Sequence, residues 1–171
     1  MEMNYKKLLK ISVLLLSSLI IGAVSAASYG YLYIQGTVTV GTRNLQWVKD
    51  GNPVTGDTVS ITLNVEQYTP TNITGHLYLN NTGSNSYSLT LTVTSAASSK
   101  DFDNLTIYVY GNGTGSWQPI SPDNTLDALT EGDSFSATIN AHESFRFDFW
   151  VNATTTNTGT FEITVEYYST S

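Results

Sequence analysis

The chain has 171 residues, 12% of them charged, no cysteine, and a formal charge of −7. Seven Lys and Arg on an acidic chain cannot form the basic stripe that nucleic acid requires. Without cysteine there is no disulfide scaffold, zinc ribbon or thiol nucleophile, whereas a 40% hydrophobic share at this length suits one domain with a packed core.

Lys6, Lys7 and Lys10 make a basic start, the apolar run Ile11 to Val24 follows, and small residues close it at Val24-Ser25-Ala26. That order is a secretory signal peptide over residues 1–26 with cleavage after Ala26. Two other readings are a retained anchor and a pilin-type cut before the apolar run. The run is short of the roughly 20 residues that span a bilayer, and no small residue lies between Lys6 and Lys10. Cleavage removes three Lys and Glu2, so the charge of the mature chain falls from −7 to −9. Membrane contact is then confined to the signal peptide, and the product is extracellular.

From residue 28 onward the apolar period is two, and no segment carries a helical period. The first segment, residues 27–40, sets Gly30, Leu32, Ile34, Gly36, Val38 and Val40 on one face and Tyr29, Tyr31, Tyr33 and Gln35 on the other. Leu45 to Val48 is a short strand that stops at Asp50-Gly51-Asn52-Pro53. Val59, Ile61, Leu63 and Val65 alternate with polar residues as a half-buried strand does. Leu77 and Leu79, then Tyr87 to Val93, read as a hairpin through Asn80-Asn81-Thr82-Gly83. Leu105, Ile107 and Val109 form the next strand. Gly111 to Gly132 reads as irregular, with room for one helical turn in Asp123 to Leu129. Three strong strands end the chain, centred on Phe135–Ile139, Phe145–Val151 and Phe161–Tyr167. About nine strands with no repeat and no linker predict an all-β, single β-sandwich or jelly-roll domain over residues 41–171, preceded by the 27–40 strand.

Catalytic patterns are absent from the sequence: no His-Glu-x-x-His, Gly-x-Ser-x-Gly or phosphate-binding glycine loop occurs, so no enzyme activity and no cofactor are expected. His76 and His142 read as solvent-facing polar residues. Asp101, Asp103 and Asn104 supply oxygens at alternate positions, but the glycine and distal glutamate of a calcium loop are missing. Trp47, Trp117 and Trp150 with the tyrosines suit either a sugar platform or core and cross-strand packing. Five Asn-x-Thr sequons, at Asn72, Asn80, Asn104, Asn112 and Asn152, are candidate N-glycosylation sites. Asn112, inside Gly111-Asn-Gly-Thr-Gly115, has the most loop-like surroundings.

The segment of most interest is the free N-terminal arm left by cleavage. Burying Leu32, Ile34, Val38 and Val40 contributes about 6–12 kcal/mol before entropy, and left exposed the strand is an aggregation hazard. It therefore pairs, either within its own sandwich or in a groove of the next molecule by strand addition. A head-to-tail contact of the second kind propagates as an open filament. Periodicity leaves the two open.

Taken in order, these residues resemble a known family. The signal peptide ending at Ala26, Tyr29-Gly-Tyr-Leu-Tyr33, Gly36-Thr-Val-Thr-Val-Gly-Thr42, Asn44-Leu-Gln-Trp47, Gly56-Asp-Thr-Val59 and Leu79-Asn-Asn-Thr-Gly83 are similar to elements of the TasA and camelysin-type biofilm fibre subunits and of the archaeal bundling pilins. The resemblance implies a secreted jelly-roll subunit whose N-terminal strand is donated to its neighbour, giving a homopolymeric pilus or biofilm fibre that bundles laterally. It would make Tyr29, Tyr31, Leu32, Tyr33, Ile34, Val38 and Val40 the donor strand. The acceptor groove is expected on the most hydrophobic faces, Phe145, Phe147, Phe149 and Val151 with Phe161, Ile163 and Val165. No zinc ligand set accompanies the peptidase annotation of some camelysin relatives. The alternative is a monomeric cell-surface adhesin or glycan-binding module.

Overall fold

A strand that alternates apolar with hydroxyl-bearing residues has one face for a core and one for water, and two such sheets satisfy each other by stacking. In the computed structural model, which describes residues 31–39, 44–55, 58–120, 123–156 and 158–169, that is the architecture. The strands are β1 (Tyr31–Thr39), β2 (Leu45–Lys49), β3 (Asn52–Pro53), β4 (Thr58–Glu66), β5 (Thr71–Asn81), β6 (Tyr87–Ser95), β7 (Phe102–Gly111), β8 (Gln118–Pro119), β9 (Thr125–Asp127), β10 (Ser134–Ile139), β11 (Ser144–Ala153) and β12 (Gly159–Ser169). No helix occurs among the described residues. The signal peptide expected over residues 1–26, Tyr29 and Val40 lie outside them, and β1 is described by its backbone and register.

One sheet has the order β10-β6-β12-β1-β4. The other runs β3-β2-β5-β11-β7-β8, with β9 also on β7. Pairing is antiparallel throughout except between β1 and β12. The nine long strands are the nine that the period-two pattern predicts. The three additional ones, β3, β8 and β9, are pieces of two or three residues in stretches that read as turn or irregular.

Pairing departs from the sequence expectation. Taken in chain order, the nine long strands alternate between the two sheets at every step, so no two consecutive ones form a hairpin. Leu77 to Val93 is accordingly an arch: β5 and β6 lie in opposite sheets and face each other across the core. The physical reason is visible at Asn81, which is buried at the end of β5. Its Nδ2 donates to the carbonyls of Asn85 and Asn140, both at 2.8 Å, and its Oδ1 accepts the Gly83 N–H at 3.0 Å. One carboxamide thus ties the β5–β6 arch to the β10–β11 arch. The second arch is closed by Glu143, whose Oε2 accepts both the backbone and side-chain N–H of Asn140 at 2.8 Å.

A second correction concerns Asp123 to Leu129. In place of a helical turn, Thr125–Asp127 pairs with Thr106–Tyr108 as β9. Leu126 and Ala128 are buried, so its apolar residues follow a strand period into the core. That core is made by Val59, Ile61, Leu63, Val65, Leu89, Leu91, Phe161 and Ile163 from one sheet and Leu77, Leu79, Ile107, Val109, Phe145, Phe147 and Phe149 from the other. Trp47 belongs to it too, with its ring 5.4 Å from that of Phe147.

Candidate functional site: the β1 slot and the outer aromatic face

The first strand among the described residues, β1, sits inside its sheet. Along one edge β1 pairs antiparallel with β4, from Tyr31 opposite Glu66 to Thr39 opposite Thr58. Along the other it pairs parallel with β12, from Ile34 opposite Gly159 to Thr39 opposite Thr164. Leu32, Ile34, Gly36 and Val38 are the register partners of the buried Val65, Leu63, Ile61 and Val59. Tyr31 and Tyr33 fall in the rows of the exposed Glu66 and Asn64. Gly36, which has no side chain, is the register partner of Phe161, the bulkiest inward residue of β12.

Two strands therefore wall the slot that β1 occupies. Phe161, Ile163 and Val165, which the sequence reading placed in an acceptor groove, lie on one of them, β12. The other wall is β4, with Val59, Ile61, Leu63 and Val65, which the sequence reading did not assign to the groove. Phe145, Phe147, Phe149 and Val151 lie on β11, in the facing sheet, where they pair with β5 and β7 and carry no ladder to β1. β4 and β1 are each nine residues long and pair over their whole length.

The outer face of the seven-stranded sheet holds the second feature. Opposite Asp148 of β11, β5 carries three residues, Thr74 to His76, between the register partners Ile73 and Leu77. This bulge turns on Gly75, whose φ of 76° suits glycine and strains any other residue. Asp148 points outward yet is only 4% exposed. Its carboxylate accepts Arg146 Nε at 3.0 and 3.2 Å, Arg146 NH2 at 2.7 Å and the Gly75 N–H at 3.4 Å. The Arg146 guanidinium in turn lies 4.9 Å from the Tyr110 ring and 5.1 Å from that of Trp117, which itself sits 5.7 Å from Tyr78. Arg146 is thus neutralised by its ion pair and flanked by two aromatic faces. Beside it Asn72, Tyr108, Tyr110, Asp148 and Trp150 line an open depression of about 350 Å³.

Of the three tryptophans, then, Trp117 and Trp150 are on this face, while Trp47 is in the core. His76 is exposed and pairs through Nδ1 with Asp50 at 2.6 Å, and His142 occupies a turn at φ 60°. Asp101 accepts the Thr155 hydroxyl at 2.8 Å, Asp103 accepts Asn152 Nδ2 at 3.3 Å, and Asn104 accepts the Thr106 hydroxyl at 3.1 Å. No group of three or more His, Asp or Glu that could hold a metal occurs among the described residues. A second opening, about 310 Å³, includes Glu143, whose carboxylate is taken up by Asn140 and by the Gly113 N–H at 3.1 Å. These carboxylates serve arches and loops.

The sequons separate by environment. Asn72 is exposed on the outward side of β5. Asn80 is half-buried and the hydroxyl of its Thr82 donates to the Asn44 carbonyl at 3.1 Å. Asn112 is half-buried with its Oδ1 accepting the Ser144 N–H at 2.7 Å. Asn152 has a buried Oδ1 and donates through Nδ2 to Asp103.

The chain matches no protein-family model and no curated protein sequence. Its class is that of a two-sheet, all-β sandwich.

Proposed function

We propose that this chain is an exported structural subunit that polymerises head to tail by strand donation, the N-terminal strand of each copy filling the β4/β12 slot of the next, to build an extracellular pilus or biofilm-matrix fibre. One observation carries the reading: the first strand of the fold lies between two others and is held by a ladder on each edge. Thr39 is separated from Leu45 by five residues, so β1 hangs from the rest of the chain by a short connection. The same strand from another copy satisfies the same ladders in the same register, which makes exchange between copies nearly isoenergetic apart from association entropy. An empty slot would expose two sheet edges and an apolar strip together, so the slot is always filled. Filled by a neighbour, it gives a heterologous contact that does not close on itself. The cysteine-free, weakly charged composition fits a subunit whose cohesion comes from strand pairing.

The test is deletion of residues 27–35. The expected result is a monomer that forms no filaments in negative stain, shows no ladder on an unheated gel, and regains thermal stability on addition of a peptide spanning residues 27–40. Filaments formed by the deleted chain would overturn the reading. A monomeric surface module that binds glycans is the second reading, and the outer rings of Trp117 and Trp150 favour it. It requires a monodisperse monomer whose saccharide binding is abolished by Trp117→Ala or Trp150→Ala.

A further inference from the structure

Three exposed large hydrophobic residues stand out among the described residues: Tyr68, Tyr168 and Trp150. Trp150 differs from the other two in its setting. Its register partner on β5 is Asn72, the acceptor residue of the sequon Asn72-Ile73-Thr74. Cross-strand partners on one face have Cβ atoms about 4.5–5.5 Å apart, so whatever is attached to one leans on the other. Both residues line the open depression, together with Tyr108, Tyr110 and Asp148. Its volume of about 350 Å³ is at the small end of the range of about 300–1,000 Å³ that small-molecule sites occupy.

We infer that Asn72 is a glycan acceptor and that the first sugars of its glycan occupy this depression, stacked on Trp150 and Tyr108. The chemistry of the lining selects a neutral, hydroxyl-rich ligand. Aromatic faces pack against the C–H face of a pyranose ring. The one buried charge, Asp148, is already neutralised by Arg146 while its carboxylate keeps acceptor capacity for a hydroxyl. The Asn72 side chain is exposed and finds no hydrogen-bond partner among the described residues, and Thr74 beside it is exposed as well. Asn104, Asn112 and Asn152 are half-buried, the first two held through Oδ1 and the third through Nδ2, and the hydroxyl of the Asn80 sequon is engaged at Thr82. In the modification itself the Asn72 amide nitrogen bonds to the anomeric carbon of a lipid-phosphate-linked saccharide. The C–O bond to the phosphate breaks, the phosphate leaves with the electron pair, and the amide gives up one proton to a base of the membrane-bound transferase.

The inference rests on export, and the experiment separates the two. The protein is isolated from its own source, its N-terminus is sequenced, and the peptide holding Asn72 is mapped by tandem mass spectrometry. A chain that begins at Ala27 and carries saccharide on Asn72 is the expected result. A chain that begins at Ala27 with unmodified Asn72 overturns the glycan and leaves export standing. An unprocessed chain with unmodified Asn72 overturns both. Packing is tested by thermal unfolding of variants made in the same source. Asn72→Gln and Trp150→Ala should each lower Tm by about 2–4 °C, and the double variant should fall no further. Tyr168→Ala, on the other sheet, should add its effect independently. Additive losses at Asn72 and Trp150 overturn the packing. Binding of free chitin oligomers by unglycosylated protein, lost in Trp150→Ala, would also overturn it in favour of a site for external sugar.

Discussion

The two sheets solve the same problem with different means. On the five-stranded sheet the outward residues of β6 and β10 are Thr and Ser, and β12 adds Glu162, Glu166 and Tyr168 to its outward Thr160 and Thr164. The hydroxyls of Thr90 and Ser136 are 3.0 Å apart and those of Thr164 and Thr94 3.3 Å apart. Its alternation is plain, and its one topological oddity is the parallel entry of β1 beside β12. On the seven-stranded sheet the central strand β11 carries Arg146, Asp148 and Trp150 outward. There a bulge, a buried ion pair and the loop bearing Trp117 cover the face. The first sheet holds β1 through backbone ladders on both of its edges. The second is specific, built on side-chain contacts among Arg146, Asp148, Tyr110 and Trp117.

Paired substitutions test that division. Phe161→Ala and Phe147→Ala each remove a fully buried ring and should cost about 3–5 kcal/mol by denaturant unfolding. Only Phe161→Ala, beside Gly36, should also speed hydrogen exchange of the β1 amides. Equal exchange in both variants would mean that the sheets are not independent. Arg146→Ala leaves Asp148 buried without its partner and should cost a similar 3–5 kcal/mol, whereas replacing both with Met and Leu should be near neutral. Filament formation is expected to survive that double replacement.

Smaller effects follow at the joins. A Cβ on Gly159 would overlap the Phe102 ring, so Gly159→Ala should cost about 1–3 kcal/mol and loosen the start of β12. Asn81→Ala strips two carbonyls and one N–H of their partner and should cost about 1–3 kcal/mol, felt in both sheets because the carboxamide joins two arches. The smallest effect is at Asp123. Hydrogen bonds from the Thr125 backbone N–H and hydroxyl hold its carboxyl below the ordinary value. The folded carboxyl is the stronger acid, so its contribution is present at neutral pH and lost as pH falls through the carboxylate range. Asp123→Ala should slightly flatten the acid limb of a Tm-against-pH profile and leave the rest unchanged.

Period-two alternation was enough to locate nine long strands, and the inward face of those from Val59–Val65 to Phe161–Val165. It says which side of a strand meets the core and nothing about which strand lies beside it. Leu77 to Val93 therefore reads as a hairpin until Asn81 is seen pinning an arch, and hydrophobicity singles out β11 although β4 and β12 are the strands that flank β1. Thr125–Asp127 escaped because three residues are too few to show a period. Asp148 escaped because an acid at an outward strand position looks solvated. Its ion pair with Arg146, the Gly75 N–H of the bulge and its register partner Tyr108 surround it instead.

The double ladder around β1 also has a mechanical side. A strand at a sheet edge peels away one hydrogen-bonded pair at a time when pulled sideways. β1 is bonded to β4 over nine residue pairs and to β12 over six, so tension along its own axis loads both ladders at once in shear. No single pair can yield first, and the strand leaves its slot only when the two ladders fail together. Tension that would unzip a hairpin is in this geometry shared along the whole length of the strand.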